Sequence, residues 1–184
     1  LTGANVPFAV RARVCLLRDL GSALAPDNAF AIIQGLETVA LRMKQHCENA
    51  DKVVNYLKKH KEVSRVIYST EHDKSIADRA KKYLKGGNGP MVGIELKGGL
   101  EAGRKFIEAL KMFYHVANIG DARSLAIHPA STTHSQINEK ELTASGVTQS
   151  YVRLCIGLEH IDDIIEDLEQ ALNKSSKGTL KAVS

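Results

Sequence analysis

The sequence contains no tryptophan, and aromatic residues make up only 5% of its 184 positions. A core drawn from its 43% hydrophobic residues must therefore be mainly aliphatic. No apolar run approaches the roughly 20 residues of a membrane-spanning helix, so we expect no membrane partner. The net charge is only +4, and the lysines are scattered with few aromatic residues among them. Nucleic acid is not expected as a partner either, because it needs a tighter basic stripe or a stacking platform.

Cysteine is also scarce, with only Cys15, Cys47 and Cys155, all far apart in the chain. There is no CxxC pair and no Cys/His spacing typical of a metal site. An odd, sparse set of cysteines favours a reducing compartment over a disulfide-bonded secreted protein, so we expect a cytoplasmic location. Cys47 lies at an apolar helical position and Cys155 in an apolar strand, so packing is the expected role of both.

Helical patterns dominate the first third of the chain. Residues 7–20 predict a helix, with Pro7 at a favoured first position and Gly21 just past the end. Asp27 is a plausible N-cap for a second helix. A stripe of apolar residues from Ile33 to Leu57 then predicts one helix that continues to about His60, roughly 45 Å long at 1.5 Å per residue. A compact domain does not need such a length, so we expect the two halves of this helix to pack on different bodies.

From residue 63 onward, short apolar strands alternate with amphipathic helices. This order predicts a small mixed sheet with helices on one face. The predicted strands are 63–69, 90–96, 115–119, 124–128 and 151–157, and the predicted helices are 74–84, 100–113 and 161–172. The final stretch, 174–184, has no apolar stripe and is expected to be a flexible tail.

Two local patterns could be mistaken for ligand sites. The stretch KGGNGP at 85–90 is rich in glycine, but it follows a helix and precedes a strand. That order is the reverse of a phosphate loop, so a connecting turn is expected. His128 and His134 could ligate a metal, but no third ligand has a suitable spacing, so we expect no metal. The alternative is that they organise a loop together with the hydroxyl residues at 131–133.

Arg153 is the most informative single residue, because it lies inside an apolar strand. Strand alternation places Arg153 on the face opposite Val152 and Leu154. A buried guanidinium without an anionic partner costs several kcal/mol, so Arg153 needs one. That partner is either an internal acid, with Asp121 as a candidate, or the carboxylate of a ligand bound through two hydrogen bonds. The strand by itself leaves both interpretations open.

Three long stretches carry a family resemblance: ALAPDNAFAIIQGLETVALRMKQHCENADKV, NIGDARSLAIHPASTTHSQI and VRLCIGLEHIDDIIEDLEQAL. Together they resemble the C-terminal part of the Cys/Met-metabolism enzymes that use pyridoxal phosphate, over about Pro7 to Leu172. Within that family, NAFAIIQGLET and Asn118 favour the sulfhydrylase branch that acts on O-acetylhomoserine. Relatives such as cystathionine γ-synthase and methionine γ-lyase usually carry serine at the position of Asn118, and they stay open as alternatives.

The resemblance implies an α+β portion of an α/β fold-type-I enzyme. Long linking helices would be followed by a small mixed or antiparallel sheet with helices on one face. Residues 1–48 would then be the end of the pyridoxal phosphate domain with its connecting helices, residues 49–173 the C-terminal domain, and 174–184 the tail. It also implies a cytoplasmic homotetramer.

The resemblance further implies a reaction and three substrate-binding residues. O-acetylhomoserine would react with sulfide or a thiol to give homocysteine or methionine and acetate. Arg153 matches the family arginine that holds the substrate α-carboxylate, and Asn118 matches a residue that helps to position it. Thr133 matches a residue near the cofactor lysine.

The sequence departs from the family in one large respect. The lysine that binds pyridoxal phosphate, the phosphate loop, and the tyrosine and aspartate that contact the cofactor ring lie upstream in the family and have no counterpart here. We therefore expect no catalytic and no cofactor-binding residue in this chain, which alone would be inactive. A missing N-terminal part would be its partner. The alternative is an inactive, free-standing module that binds an amino acid.

Overall fold

The computed structural model describes residues 6–71 and 73–176. The chain divides into two compact units, one ending at Ala40 and the other beginning at Leu41. Most of the predicted tail lies outside the described residues, because α8 (Ile161–Ser176) is the last described element. Within the described ranges, no helix combines the length and apolar character needed to cross a bilayer.

The first unit is helical. Residues 7–20 form a continuous helical run made of α1 (Pro7–Arg11), a π-helical segment (Ala12–Leu17) and α2 (Arg18–Leu20). Gly21 ends the run with a φ of 67°, which confirms the predicted stop, because glycine adopts this left-handed conformation without steric cost.

The next helix is α3 (Pro26–Glu37), and the prediction that Asp27 caps it is wrong. Ala25 occupies the cap position and Asp27 lies in the first turn. Pro26 explains the shift, because its fixed φ and missing N–H suit the first helical position.

The prediction of one unbroken helix to His60 is also wrong. After α3, Thr38 adopts φ −107° and ψ 2°, and a separate helix α4 (Val39–Leu57) follows. The apolar period continues across this break, so the stripe alone does not reveal it. Ile33 and Leu36 are exposed, whereas the second half of α4 is buried at Ala50, Val54 and Leu57. That the two halves pack on different bodies stays a prediction.

The second unit combines helices with a five-stranded sheet. Its strands are β1 (Val63–Ile67), β2 (Met91–Leu96), β3 (Tyr114–His115), β4 (Leu125–Ile127) and β5 (Tyr151–Cys155). Its further helices are α5 (Lys74–Tyr83), α6 (Gly99–Ala109) and α7 (Glu139–Ala144), followed by α8. The strand order is β1-β2-β5-β4-β3, antiparallel except for the parallel pair β3–β4. The predicted α+β class with a mixed sheet is thereby confirmed.

The core lies between the sheet and the helices α4, α6 and α8. Phe106 of α6 and Leu168 of α8 are fully buried there, as are Val152 and Leu154 of β5. Tyr151 and Arg153 are only half-buried. The alternation predicted for this strand is therefore confirmed, and it leaves Arg153 on the face away from the helices.

Sequence analysis missed the short helix α7. Asn138 accepts a hydrogen bond from the Glu141 backbone N–H at 3.0 Å, and the Glu141 carboxylate accepts from the Asn138 N–H at 3.2 Å. This reciprocal pair is a capping box, and its Asn-x-x-Glu spacing was readable in the sequence.

Candidate substrate-binding site

Arg153 lies at the centre of the sheet face that the helices leave open. In the ladder its direct neighbours are Gly93 of β2 and Ile127 of β4. An open cavity of about 270 Å³ lies on this face beside Arg153. The cavity is lined by Ile67, Tyr68, Ser69, Met91, Val92, Gly93, Tyr151 and Arg153.

Arg153 has no acidic partner in the described part of the chain, where no carboxylate lies within 4.0 Å of its guanidinium. The suggested salt bridge to Asp121 is not formed. The Asp121 carboxylate instead accepts a hydrogen bond from the Arg123 backbone N–H at 3.0 Å, a local turn that takes it out of reach. Most of the donors of the guanidinium are therefore left for the cavity.

Asn118 is close to Arg153 in space although the two are 35 residues apart. Arg153 Nη2 donates to the Asn118 carbonyl oxygen over 3.4 Å, a long hydrogen bond. The side-chain oxygen of Asn118 accepts from the Ile119 N–H at 2.9 Å. Arg123 packs its guanidinium over the Tyr114 ring, 4.7 Å from the centroid, in the same connection between β3 and β4. The structure thus brings the backbone of Asn118 to the rim of the Arg153 site.

Thr133 is not part of this cluster. Its side chain is exposed, and its hydroxyl pairs with Nδ1 of the neighbouring His134 at 2.8 Å. Within the described ranges it makes no hydrogen bond to Arg153 or Asn118. Of the three residues proposed from the resemblance, Arg153 and Asn118 therefore lie together, and Thr133 lies apart from them.

His128 is fully buried and holds the loop that follows β4. Its Nε2 lies 2.8 Å from the Gln149 carbonyl oxygen, and its Nδ1 lies 2.8 Å from the Ser131 hydroxyl. A carbonyl oxygen can only accept, so Nε2 carries the proton and Nδ1 accepts from Ser131. Burial lowers the pKa of His128, which favours the neutral ring. Across residues 6–71 and 73–176, no cluster of three or more His, Cys, Asp or Glu side chains could hold a metal ion.

A buried polar network fixes the turn that follows β5, and sequence analysis did not find it. Asn49 of α4 donates to the carbonyl oxygens of Gly157 and Glu159, each at 3.0 Å. The Glu159 carboxylate accepts from the Ser124 N–H at 2.7 Å and from its hydroxyl at 2.9 Å. The Ser124 hydroxyl in turn accepts from the Gly157 N–H at 2.9 Å. These groups hold the end of β5 against the start of β4, which keeps Arg153 in register.

This fold matches part of the fold of fold-type-I pyridoxal phosphate enzymes. A solved structure of a putative O-acetylhomoserine (thiol)-lyase from Campylobacter jejuni, which contains a pyridoxyl-lysine monophosphate, matches with a TM-score of 0.80 and 42% identity. The match covers 91% of this chain and 40% of that one. The family model for Cys/Met metabolism PLP-dependent enzymes matches residues 4–173, and the chain belongs to that family.

Curated relatives agree with this family assignment. An O-acetyl-L-homoserine sulfhydrylase from Leptospira meyeri is 52% identical over 171 residues, 92% of this chain and 39% of that protein. An L-methionine γ-lyase from Fusobacterium nucleatum is 43% identical over 171 residues, 92% of this chain and 43% of that protein. The chain therefore spans about two fifths of the length of these relatives.

The residues around Arg153 do not form a pyridoxal phosphate cradle by themselves. None of the eight residues that line the described cavity is a lysine, and Arg153 is their one cationic side chain. A covalently bound phosphorylated cofactor needs both a lysine and phosphate donors. The arrangement instead suits a single carboxylate.

Proposed function

We propose that this chain is the C-terminal portion of a pyridoxal phosphate-dependent O-acetylhomoserine sulfhydrylase. In that reaction sulfide or a thiol replaces the acetate of O-acetylhomoserine and gives homocysteine or methionine. The 52% identity to the Leptospira meyeri sulfhydrylase supports this branch of the family. The chain would contribute the site that binds the α-carboxylate of the amino-acid substrate.

The observation that carries the proposal is the state of Arg153. A guanidinium on a central strand faces an open cavity and has no acidic partner among the described residues. The planar fork of arginine matches a carboxylate through two parallel hydrogen bonds, and a lysine cannot reproduce that geometry. Holding the carboxylate at two points fixes the orientation of the substrate Cα, which lowers the entropic part of the barrier.

Asn118 and Thr133 have weaker support. The contact between the Asn118 carbonyl and Arg153 supports a role for Asn118 in setting the angle of the guanidinium. Thr133 is exposed and forms no hydrogen bond with this pair in the part of the chain that the structure describes, so its proposed place near the cofactor lysine depends on the family resemblance.

The remaining machinery would reside on polypeptide outside this chain. Pyridoxal phosphate supplies the electron sink of the family reaction, and the lysine that binds it would come from that polypeptide. We further propose a cytoplasmic homotetramer. The domain assignment is also part of the proposal, with residues 1–48 belonging to the cofactor domain and its connecting helices, and residues 49–173 forming the C-terminal domain.

The reading frame that precedes Leu1 gives the first test. We expect it to encode a lysine-bearing pyridoxal phosphate domain continuous with this chain. The complete protein should contain bound pyridoxal phosphate and convert O-acetylhomoserine and sulfide into homocysteine, measured by product chromatography. A native polypeptide of this same length without cofactor, which binds amino acids in calorimetry, would instead identify a free-standing binding module.

A second activity has specific support from the relative in Fusobacterium nucleatum, at 43% identity. A methionine γ-lyase would release methanethiol from methionine without an added thiol. Supplying the complete protein with methionine alone, and then with O-acetylhomoserine and sulfide, separates the two activities. A higher kcat/KM for methionine would overturn the sulfhydrylase proposal while leaving the carboxylate site in place.

A further inference from the structure

The cavity beside Arg153 contains a tyrosine, Tyr151, whose hydroxyl has no hydrogen-bond partner among the described residues. Tyr151 precedes Arg153 by two residues on β5, so both side chains lie on the same sheet face. Among the described residues, no hydrogen bond involves the Tyr151 hydroxyl, although both Tyr151 and Arg153 line the cavity. Tyr68, the other tyrosine of the cavity, differs, because its hydroxyl lies 2.8 Å from the Gly89 carbonyl oxygen and 3.1 Å from the Asp51 carboxylate, and its one proton is shared between these acceptors.

The ring of Tyr151 lies over Gly93 of the neighbouring strand β2. A Cβ atom built on Gly93 would lie 2.6 Å from Tyr151 Cε2 and 2.9 Å from its hydroxyl oxygen. Gly93 is the residue directly opposite Arg153 in the β2–β5 ladder. The Tyr151 hydroxyl therefore lies over the glycine that pairs with Arg153, and any larger residue at position 93 would displace it.

The hydroxyl is open to the cavity and is not sealed in the protein. Within the described residues, the one fully buried side-chain nitrogen or oxygen without a partner is Gln170 Oε1. Burial of the ring raises the pKa of Tyr151, and Glu95 acts in the same direction while Arg153 opposes them. Among the described residues, the Glu95 carboxylate pairs with Arg65 at 3.9 Å and accepts from the Thr148 hydroxyl at 3.3 Å, but it forms no hydrogen bond with the Tyr151 hydroxyl. At neutral pH the phenol is protonated and can donate.

We propose that the Tyr151 hydroxyl donates a hydrogen bond to the same substrate carboxylate that Arg153 holds. A carboxylate has about four acceptor positions, and a bidentate arginine uses two of them, so two stay available for further donors. Tyrosine suits this role because its ring is rigid and loses little conformational entropy on binding. The inference rests on the proposed function, and it adds Tyr151 as a substrate-binding residue.

The test is Tyr151→Phe in the complete protein, which removes the hydroxyl and keeps the ring over Gly93. We expect the KM for O-acetylhomoserine to rise about tenfold or more, because hydrogen bonds to charged groups contribute at least that factor. The inhibition constant of homoserine, which has the same α-carboxylate, should rise by the same factor. The KM for sulfide should stay within twofold, since sulfide has no carboxylate. Tyr83→Phe is the matched control, because Tyr83 is 69% exposed on α5.

The possible outcomes separate this inference from the function on which it rests. A Tyr151→Phe enzyme with an unchanged KM for O-acetylhomoserine overturns the role of Tyr151. Parallel changes in the KM for sulfide and in kcat would mean a structural effect, and would overturn it as well. If Arg153→Ala retains wild-type kinetics, or the wild-type protein does not turn over O-acetylhomoserine, the proposed function itself fails.

Discussion

The guanidinium of Arg153 reaches the carbonyl oxygen of Asn118 at 3.4 Å, so a central strand and the connection between β3 and β4 meet at one polar point. The contact is long, and it uses a single donor of a group that has five. Arg153 is thus positioned from one side while its remaining donors face the cavity. This relationship links the sheet to the proposed binding of a substrate carboxylate.

Replacing Arg153 by alanine in the complete enzyme should raise the barrier expressed by kcat/KM by roughly 2–5 kcal/mol, the cost of breaking a buried charge pair. That range corresponds to a loss of about 30-fold to several thousandfold. Arg153→Lys should recover little of this loss, because an ammonium cannot form the two parallel hydrogen bonds. Steady-state kinetics would check both variants, with the exposed Arg79→Ala as a control. A change of less than about threefold for Arg153→Ala would assign Arg153 a structural role.

The substitution Gly103→Ala should lower the free energy of unfolding by roughly 1–3 kcal/mol, which is the usual cost of overpacking a core. A Cβ there would lie 2.3 Å from Nε2 of His128, and this ring cannot move without losing its bonds to Ser131 and Gln149. Urea unfolding of both variants would measure the effect, with Gly86→Ala as the control, because no atom lies within 4 Å of a Cβ at Gly86. Equal stability of the two variants would contradict the packing described for His128.

The substitution Asp167→Asn should lower the free energy of unfolding by roughly 1–3 kcal/mol, because three backbone N–H groups lose a carboxylate acceptor. The Asp167 carboxylate accepts from the backbone N–H groups of Lys111, Met112 and Phe113 at 2.9–3.3 Å. Because Asp167 lies on α8, these hydrogen bonds attach residues 111–113, which follow α6, to α8. The control is Asp163→Asn on the same helix, where the side chain is exposed and the expected loss is below about 1 kcal/mol. Chemical denaturation that ranks the two variants in the opposite order would refute this role.

The ring of His128 should stay neutral, with the proton on Nε2, as the pH falls through 6.5. Burial lowers the pKa of His128 below 6.5, whereas the unfolded chain takes up its proton near 6.5. The stability contribution of this residue is therefore fully present above pH 6.5 and is lost as the pH falls toward the folded-state pKa. Nitrogen NMR shifts of histidine-labelled protein would report both the tautomer and the titration. Protonation of this ring at or above pH 6.5 would contradict the hydrogen bonds described for it.

Several elements could be predicted because they follow from periodicity alone. The alternation of β5 placed Arg153 opposite Val152 and Leu154, and the structure confirms this. The helix over residues 7–20 and its stop at Gly21 followed from local conformational preferences. The break at Thr38 could not be predicted in this way, since the apolar period continues through it and only the backbone dihedral angles change.

The sequence by itself determined which face of β5 carries the guanidinium, because a strand has a side-chain period of two whatever its neighbours are. Only the tertiary structure decided what lies beside it. Pairing between β2 and β5 placed Gly93 opposite Arg153 and opened room for Tyr151, and no spacing along the chain encodes that register. Chain folding likewise kept Asp121 in a local turn and brought Asn118 to the rim, so Arg153 kept its donors for a ligand.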